Sequence, residues 1–215
     1  MIKVLKNEGV KLSVLLEGLG NSYANALRKS SNEIPILAVD EVEISKNDSA
    51  LFDEMLAHRL GLLPLSADKT FTLPEECTCK GKGCSKCTAE LTLKVSGEGT
   101  VLAKSLKSKT VEPIYSEMPL VYLQKDQEIE LVAKARLGKG KDHAKHSPGL
   151  VWIRAASDEP ENEIGKENTK EPEGEDFVLE IESWGQLKPK EILAESCGAL
   201  KENLDEFLKE ASKIK

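Results

Sequence analysis

The chain has 215 residues and a mass of 23.6 kDa, and its net charge is −7, with 40% apolar, 31% charged and only 4% aromatic residues. Such a length supports one large domain or two small ones without disulfides, and the composition excludes wholesale disorder. An acidic chain is ill suited to wrapping nucleic acid over most of its surface. No apolar run reaches the roughly 18 residues of a membrane span, and the first residues lack a signal-peptide core, so a cytoplasmic protein is expected.

In chain order, Val10, Leu12, Val14 and Leu16 alternate with more polar neighbours, a strand pattern that Gly18 and Gly20 end. A helix follows from Asn21 or Ser22, carrying Tyr23, Ala26, Leu27 and Ile34 until Pro35 disfavours its continuation. Residues 36–44 read as a strand. Asp48 or Ser49 can cap a second helix bearing Leu51, Phe52, Met55, Leu56 and Leu60, which ends at Gly61. After a cysteine-rich loop, residues 91–95, 128–137 and 150–154 have strand character.

Between Ser157 and Asp176 stand nine acids and two lysines, a local charge of −7 that leaves the remainder of the chain neutral. With Ile164 as its only large apolar residue, this segment is expected to be a mobile acidic loop, 157–176. Phe177, Leu179 and Ile181 alternate again. Pro189 then opens a final helix of about 26 residues, roughly 39 Å long. Leu193, Cys197, Leu200, Leu204 and Leu208 step along it by threes and fours. A stripe of that length predicts a partner helix, and Cys197 on it reads as a small buried hydrophobe. The fold expected is α+β. Both chain ends, 1–42 and 176–215, form one unit, and a β-rich insert domain spans 43–175.

Four of the five cysteines, Cys77, Cys79, Cys84 and Cys87, fall within residues 77–87 in the pattern C-x-C-x4-C-x2-C. Gly81 and Gly83 supply the tight turns that let four thiolates converge on one ion, and clustering of this kind in a reducing compartment points to metal over disulfides. Four sulfurs closing a tetrahedron make a structural zinc site with no open position for catalysis. An iron–sulfur cluster is the alternative from the same ligands, although the single-residue gap departs from ferredoxin spacing. Lys80, Lys82 and Lys86 offset the thiolate charge.

Catalysis by this chain alone finds little support. His58, His143 and His146 are the only histidines, and no phosphate-loop or dinucleotide fingerprint occurs. The basic, glycine-containing segment 136–145 suits an anion contact, a solvated hairpin end or an interface. A free-standing zinc protein that binds nucleic acid through this segment and the loop lysines is therefore one reading, and an iron–sulfur redox protein is another.

Four motifs in order add a resemblance. They are Gly20-Asn21-Ser22-Tyr23-Ala24-Asn25-Ala26-Leu27-Arg28-Lys29 followed by Ile34-Pro35, Glu54 to Leu65 with His58-Arg59-Leu60-Gly61, Gly138 to Pro148 with Lys141-Asp142-His143, and Glu182 to Ile192 with Trp184-Gly185 and Pro189. Together they resemble the alpha-like D subunits of archaeal DNA-directed RNA polymerases, a family related to the amino-terminal part of bacterial alpha and to the third-largest subunit of eukaryotic polymerase II. The resemblance implies a non-catalytic assembly platform whose alpha-type dimerisation domain, built from both chain ends, pairs with the smaller subunit L. That pair recruits the large catalytic subunits, with small subunits N and P gathering nearby.

By the same resemblance Asn25, Leu27 and Arg28 are partner contacts of the first helix, and Lys141, Asp142, His143 and Lys145 are interface candidates; Leu193, Leu200, Leu204 and Leu208 join them on the ground of their helical stripe. The four cysteines resemble the eukaryotic zinc loop, implying one structural zinc per chain. Ser30-Ser31-Asn32 and His146 stand where relatives often carry apolar or aromatic residues. No membrane contact and no sequence-specific nucleic-acid binding is expected.

Overall fold

The structure is a computed structural model that describes residues 2–66, 71–156 and 176–214. The expected acidic loop thus lies outside the described residues, Asp176 excepted. In chain order the elements are β1 (Ile2–Glu8), β2 (Lys11–Leu16), α1 (Gly20–Ser30), β3 (Pro35–Asn47), α2 (Asp53–Gly61), β4 (Thr88–Ser96), β5 (Gly99–Leu102), β6 (Pro119–Leu123), β7 (Glu128–Lys139), β8 (Gly149–Ala155), β9 (Phe177–Ser183) and α3 (Pro189–Ala211). They form two compact units, Met1–Ile34 with Pro148–Lys215, and Pro35–Ser147.

In the unit made of the chain ends, an antiparallel sheet has the order β1-β2-β9-β8. The alternation read in β2 and β9 is brought into register, Leu12 opposite Ile181, Val14 opposite Leu179 and Leu16 opposite Phe177, so these six side chains make one apolar patch on the sheet. Against it lie Ala24 and Leu27 of α1 and Ile192 of α3, all buried. Each such leucine or isoleucine contributes about 1.5–3 kcal/mol by leaving water.

Gly18 and Gly20 do end the strand, both with positive φ (67° and 64°) that a side chain disfavours. The buried apolar residues of α1 are Ala24 and Leu27, whereas Tyr23 is exposed. Ser30 and Ser31 are buried at the helix end and satisfy themselves by donating to the carbonyls of Ala26 and Arg28 at 2.8 and 2.7 Å. Gly149 opens β8 where a Cβ would stand 2.3 Å from the Glu182 carbonyl oxygen.

The unit Pro35–Ser147 is built on a three-stranded sheet, β3-β7-β4, with a two-stranded ribbon, β5-β6. In β7 every second residue from Ile129 to Ala135 is buried, and the facing Ala89, Leu91 and Leu93 of β4 are buried with them. Leu56 and Leu60 of α2 cover this face together with Leu63, Leu65, Leu106 and Leu120. The opposite face carries ion pairs, among them Lys134 with Glu41 and Glu43, and Lys94 with Glu130.

The unit boundaries differ from those read in the sequence. All of β3 pairs with β7, which draws residues 35–42 into the second unit, and β8 pairs with β9, which draws 149–155 into the first. The second helix also starts later than expected. Asn47, not Asp48 or Ser49, organises the approach: its amide donates to the Leu51 carbonyl and the Asp53 carboxylate, and its oxygen accepts from Ser49. Leu51 and Phe52 therefore precede α2, and Phe52 and Met55 are exposed.

Candidate functional site

The cysteine loop is folded by its own backbone. The Cys77 carbonyl accepts from Lys80, the Cys79 carbonyl from Lys82, and the Cys84 carbonyl from both Cys87 and Thr88. Lys80, Gly81 and Gly83 have φ of 53°, 76° and 89°, so the chain doubles back twice between the second and third cysteines. Thr72 donates to the Lys86 carbonyl at 2.9 Å and closes the loop.

As a result the four thiols converge. Sγ–Sγ separations are 3.5 Å for Cys77–Cys84 and Cys77–Cys79, 3.4 Å for Cys79–Cys87 and 3.8 Å for Cys84–Cys87, and all four sulfurs lie within 4.8 Å of one another. A tetrahedron of sulfurs around an ion at 2.3 Å has edges of about 3.8 Å, so the set is sized for a single ion. The donor set fits a thiophilic metal, and Cys77, Cys79, Cys84 and Cys87 would hold it.

The local charges prepare this. The backbone N–H of Cys79 is the main cause that brings the Cys77 thiol down to about 6, working against desolvation. Its partner Cys79 is pushed up to about 11, first by its hydrogen bond to Cys87 and then by burial. At Cys87, burial pushes upward, yet the Cys84 N–H and the neighbouring Cys79 and Thr88 side chains outweigh it and the thiol sits below its ordinary value. An ion binds the thiolates and so displaces whatever protons these close sulfurs still hold. Cys197 has no part in this. It is an exposed thiol, not the buried hydrophobe expected of it.

The segment after β7 is a second constructed feature. The Lys139 carbonyl accepts from Asp142 and His143, the His143 ring nitrogen accepts from the Lys145 N–H, and Lys145 Nζ reaches Asp40 at 2.8 Å. Lys141, Asp142 and His143 are exposed, while the Lys145 side chain, at 14% exposure, is committed to Asp40. That lysine holds the Asp40 carboxyl below its ordinary value. Lys145 thus fixes the turn and is not itself a surface contact. His143, Lys145, Asp40 and His58 line one small hollow of about 170 Å³.

His146 was missed as a functional element of this turn. It is buried, its Nδ1 donates to the Ile36 carbonyl at 2.8 Å, and its ring lies so close to Gly138 that a Cβ there would stand 2.6 Å from it. An aromatic-sized ring needs a glycine beneath it, which explains the first glycine of Gly138-Lys139-Gly140. Burial holds its pKa below the ordinary histidine value.

On α1, Asn25 accepts from Arg28 Nε and Nη2 at 3.1 and 2.9 Å, a pair one helical turn apart. Leu27, only 1% exposed, packs in its own unit and is not a surface contact. On α3 the buried line is Pro189, Ile192 and Ser196, rotated from the line read in the sequence. Leu193 and Leu200 are half-buried, and Leu204, Phe207 and Leu208 are exposed by 54%, 68% and 64%. The sheet reaches only the first turns of the helix, so from residue 201 to 210 the helix is exposed on every side.

The architecture is a unit made of both chain ends, interrupted in sequence by a sheet-based insert that carries a four-cysteine loop. Residues 42–154 match the family described as the RNA polymerase Rpb3/RpoA insert domain. Two of the relatives align with the chain over nearly the whole length of both. It is 31% identical to DNA-directed RNA polymerase subunit Rpo3 of Methanothermobacter thermautotrophicus, over 96% of this chain and 97% of the relative. To Rpo3 of Thermococcus kodakarensis it is 31% identical, over 99% and 98%. Against Rpo3 of Pyrococcus horikoshii identity is 40%, over 71% of this chain and 58% of the relative.

The chain belongs to this family of DNA-directed RNA polymerase assembly subunits. Neither a free-standing nucleic-acid-binding protein nor a redox protein finds support among these relatives. No helix among the described residues is long and apolar enough to cross a membrane.

Proposed function

We propose that this chain is the D-type, alpha-like platform of a cytoplasmic, archaeal-type RNA polymerase, pairing with subunit L through the unit of its chain ends. The exposed distal half of α3 carries the reading. Leu204, Phe207 and Leu208 leave an apolar ridge that a soluble monomer rarely maintains, and the exposed Ile2, Val4 and Leu5 of β1 belong to the same unit. Leu193 and Leu200, half-buried on their own unit, extend the ridge towards the sheet. The large catalytic subunits then dock on the platform, with Asn25 and Arg28 on α1 and Lys141, Asp142 and His143 in the turn as contacts, and subunits N and P gather at the same platform.

Zinc is the ion proposed for Cys77, Cys79, Cys84 and Cys87, because four thiolates closing one tetrahedron match its preference and leave nothing open for catalysis. Its chemistry is structural. It fixes a loop, Leu73 to Lys86, that has few apolar residues of its own. Co-expression with subunit L tests the reading: a stoichiometric complex on size exclusion, with metal analysis giving one zinc per chain, is expected. A chain that stays monomeric and soluble in the presence of subunit L would overturn it.

A further inference from the structure

Beside the cysteine loop lies a groove of about 830 Å³. Lys82, Lys107, Lys109, Lys134 and Arg136 line it, against Glu90 as the one acid. In a chain of net charge −7 this is a local reversal of sign. Lys134 is paired with Glu41 and Glu43, but Lys82 and Lys109 make no ion pair among the described residues. Arg136 stands 3.8 and 3.9 Å from its carboxylates, and its Nε is buried without a partner.

The groove also contains an open sheet edge. β4 is an edge strand, and Thr92 exchanges two 2.8 Å backbone bonds with Lys107 on its outer side. By the alternation of an antiparallel ladder, Glu90 and Thr88 also turn their backbone groups outward. The Thr88 N–H is taken by Cys84, whereas Glu90 has no backbone partner on that side among the described residues. The chain after Lys107 peels away from β4 there, and residues 82–85 of the cysteine loop close the other end.

We propose that this groove binds a short, extended acidic segment of a partner polypeptide, which adds to the β4 edge at Glu90 and places carboxylates on Lys82, Lys107, Lys109 and Arg136. The groove supports this independently of the polymerase reading. A peptide supplies both the donor and the acceptor that an open edge requires, and its alternate side chains meet the basic walls. A nucleic-acid strand offers no main-chain partner for the Glu90 carbonyl, and no aromatic side chain lines the groove for a base to stack on. Because Cys79 and Cys84 flank Lys82 and Gly83, and the guanidinium of Arg136 lies 3.9 Å from where a Gly83 Cβ would stand, metal in the cysteine site shapes one wall.

The test uses the full chain loaded with zinc and a fluorophore-labelled, end-blocked peptide alternating glutamate and valine, read by anisotropy. Saturable binding is expected, absent for the same peptide with lysine for glutamate. Joint replacement of the exposed Lys107→Glu and Lys109→Glu should weaken it about tenfold or more, with circular dichroism unchanged. Lys109→Glu alone, at the most exposed wall, should weaken it to a lesser degree. Removing the metal with a chelator should also weaken it.

Wild-type affinity in the double variant, or after chelation, overturns the proposal. So does oligothymidylate that binds more tightly than the peptide and displaces it. Peptide binding seen only in a chain lacking residues 158–175 would make that acidic run the occupant, and would equally overturn the assignment to a partner.

Discussion

In the unit Pro35–Ser147, the inward residues of β4 and β7 meet α2 and the segments around Leu63, Leu106 and Leu120, and the apolar face of the sheet is closed by the chain itself. In the unit of the chain ends, α1 and the first turns of α3 close the sheet in the same manner, but the second half of α3 then runs on with Leu204, Phe207 and Leu208 uncovered. The two units share one architectural rule, a sheet face under helices. Both leave apolar residues exposed, Phe52 and Met55 at α2 and Leu204, Phe207 and Leu208 on α3, but only α3 runs on well beyond the sheet it covers. A self-closed unit can be stapled internally, as a metal ion on the four cysteines would do, while an uncovered helix offers its apolar side to another chain. Perturbing each unit in turn separates these two kinds of stability.

Metal removal should give the largest effect and should fall on one unit. Structural zinc sites in small domains carry about 10–16 kcal/mol of apparent binding free energy. With Cys84→Ser or a chelator, hydrogen exchange over residues 72–88 should lose its protection, whereas β2 and β9 should keep theirs. Equal loss of protection in both units would show that they are not stabilised separately.

The next effect belongs to the other unit. Replacing Leu204→Glu and Leu208→Glu places two charges where an apolar partner is expected, costing several kcal/mol of association, about 100-fold or more in affinity. Since both side chains are exposed in the isolated chain, its folding by circular dichroism should be unchanged. Calorimetry with subunit L measures the loss, and undiminished affinity would place the interface elsewhere.

The same difference between the units governs what could be read in the sequence. Strands β2, β4 and β7 were legible because each buries one face and so alternates, and β9 because its apolar run, buried on both faces at Phe177, Val178 and Leu179, still alternates beyond them. β1 was not, because its apolar Ile2, Val4 and Leu5 are all exposed at a sheet edge, and β5 and β6 are too short to show a period. The metal set was legible because all four ligands are local in sequence. The seat of His146 on Gly138 and under the Ile36 carbonyl was not, since it joins residues 110 positions apart. α3 was legible in its start, with Pro189 in the first turn and Glu191 accepting from the Lys188 N–H, but not in its rotation. Leu204 and Leu208, read in the sequence as part of a stripe calling for a partner helix, are exposed together with Phe207.

A smaller effect probes that seat. Gly138→Ala puts a methyl into the imidazole of His146, and overpacking of this kind costs about 1–3 kcal/mol. Thermal unfolding should show the loss, and protection from exchange should fall in β3 and β7 while β2 and β9 are unaffected. Unchanged stability would mean that the ring can move aside without breaking its bond to Ile36.

The smallest effect is a pH dependence, again confined to the self-closed unit. Burial depresses the pKa of His146, opposed in part by its bond to the Ile36 carbonyl and by Asp40, and reinforced by Lys145 and His143. The unfolded chain then binds the proton more readily, so the contribution of the buried ring is complete above about 6.5 and is lost as the pH falls below that value towards the depressed folded pKa. Asp40 is depressed by its bond to Lys145, so its contribution is present above an ordinary carboxylate pKa and disappears only in more acid solution. The two windows do not coincide. Between pH 7 and 5 the melting temperature of the wild type should therefore fall more than that of His146→Gln, whatever the absolute stability of the variant. Protonation of the cysteine site is common to both proteins and cancels in that difference. Parallel profiles would show that the ring is not the titrating group and that its burial alone, without a change of charge, accounts for its place in the turn.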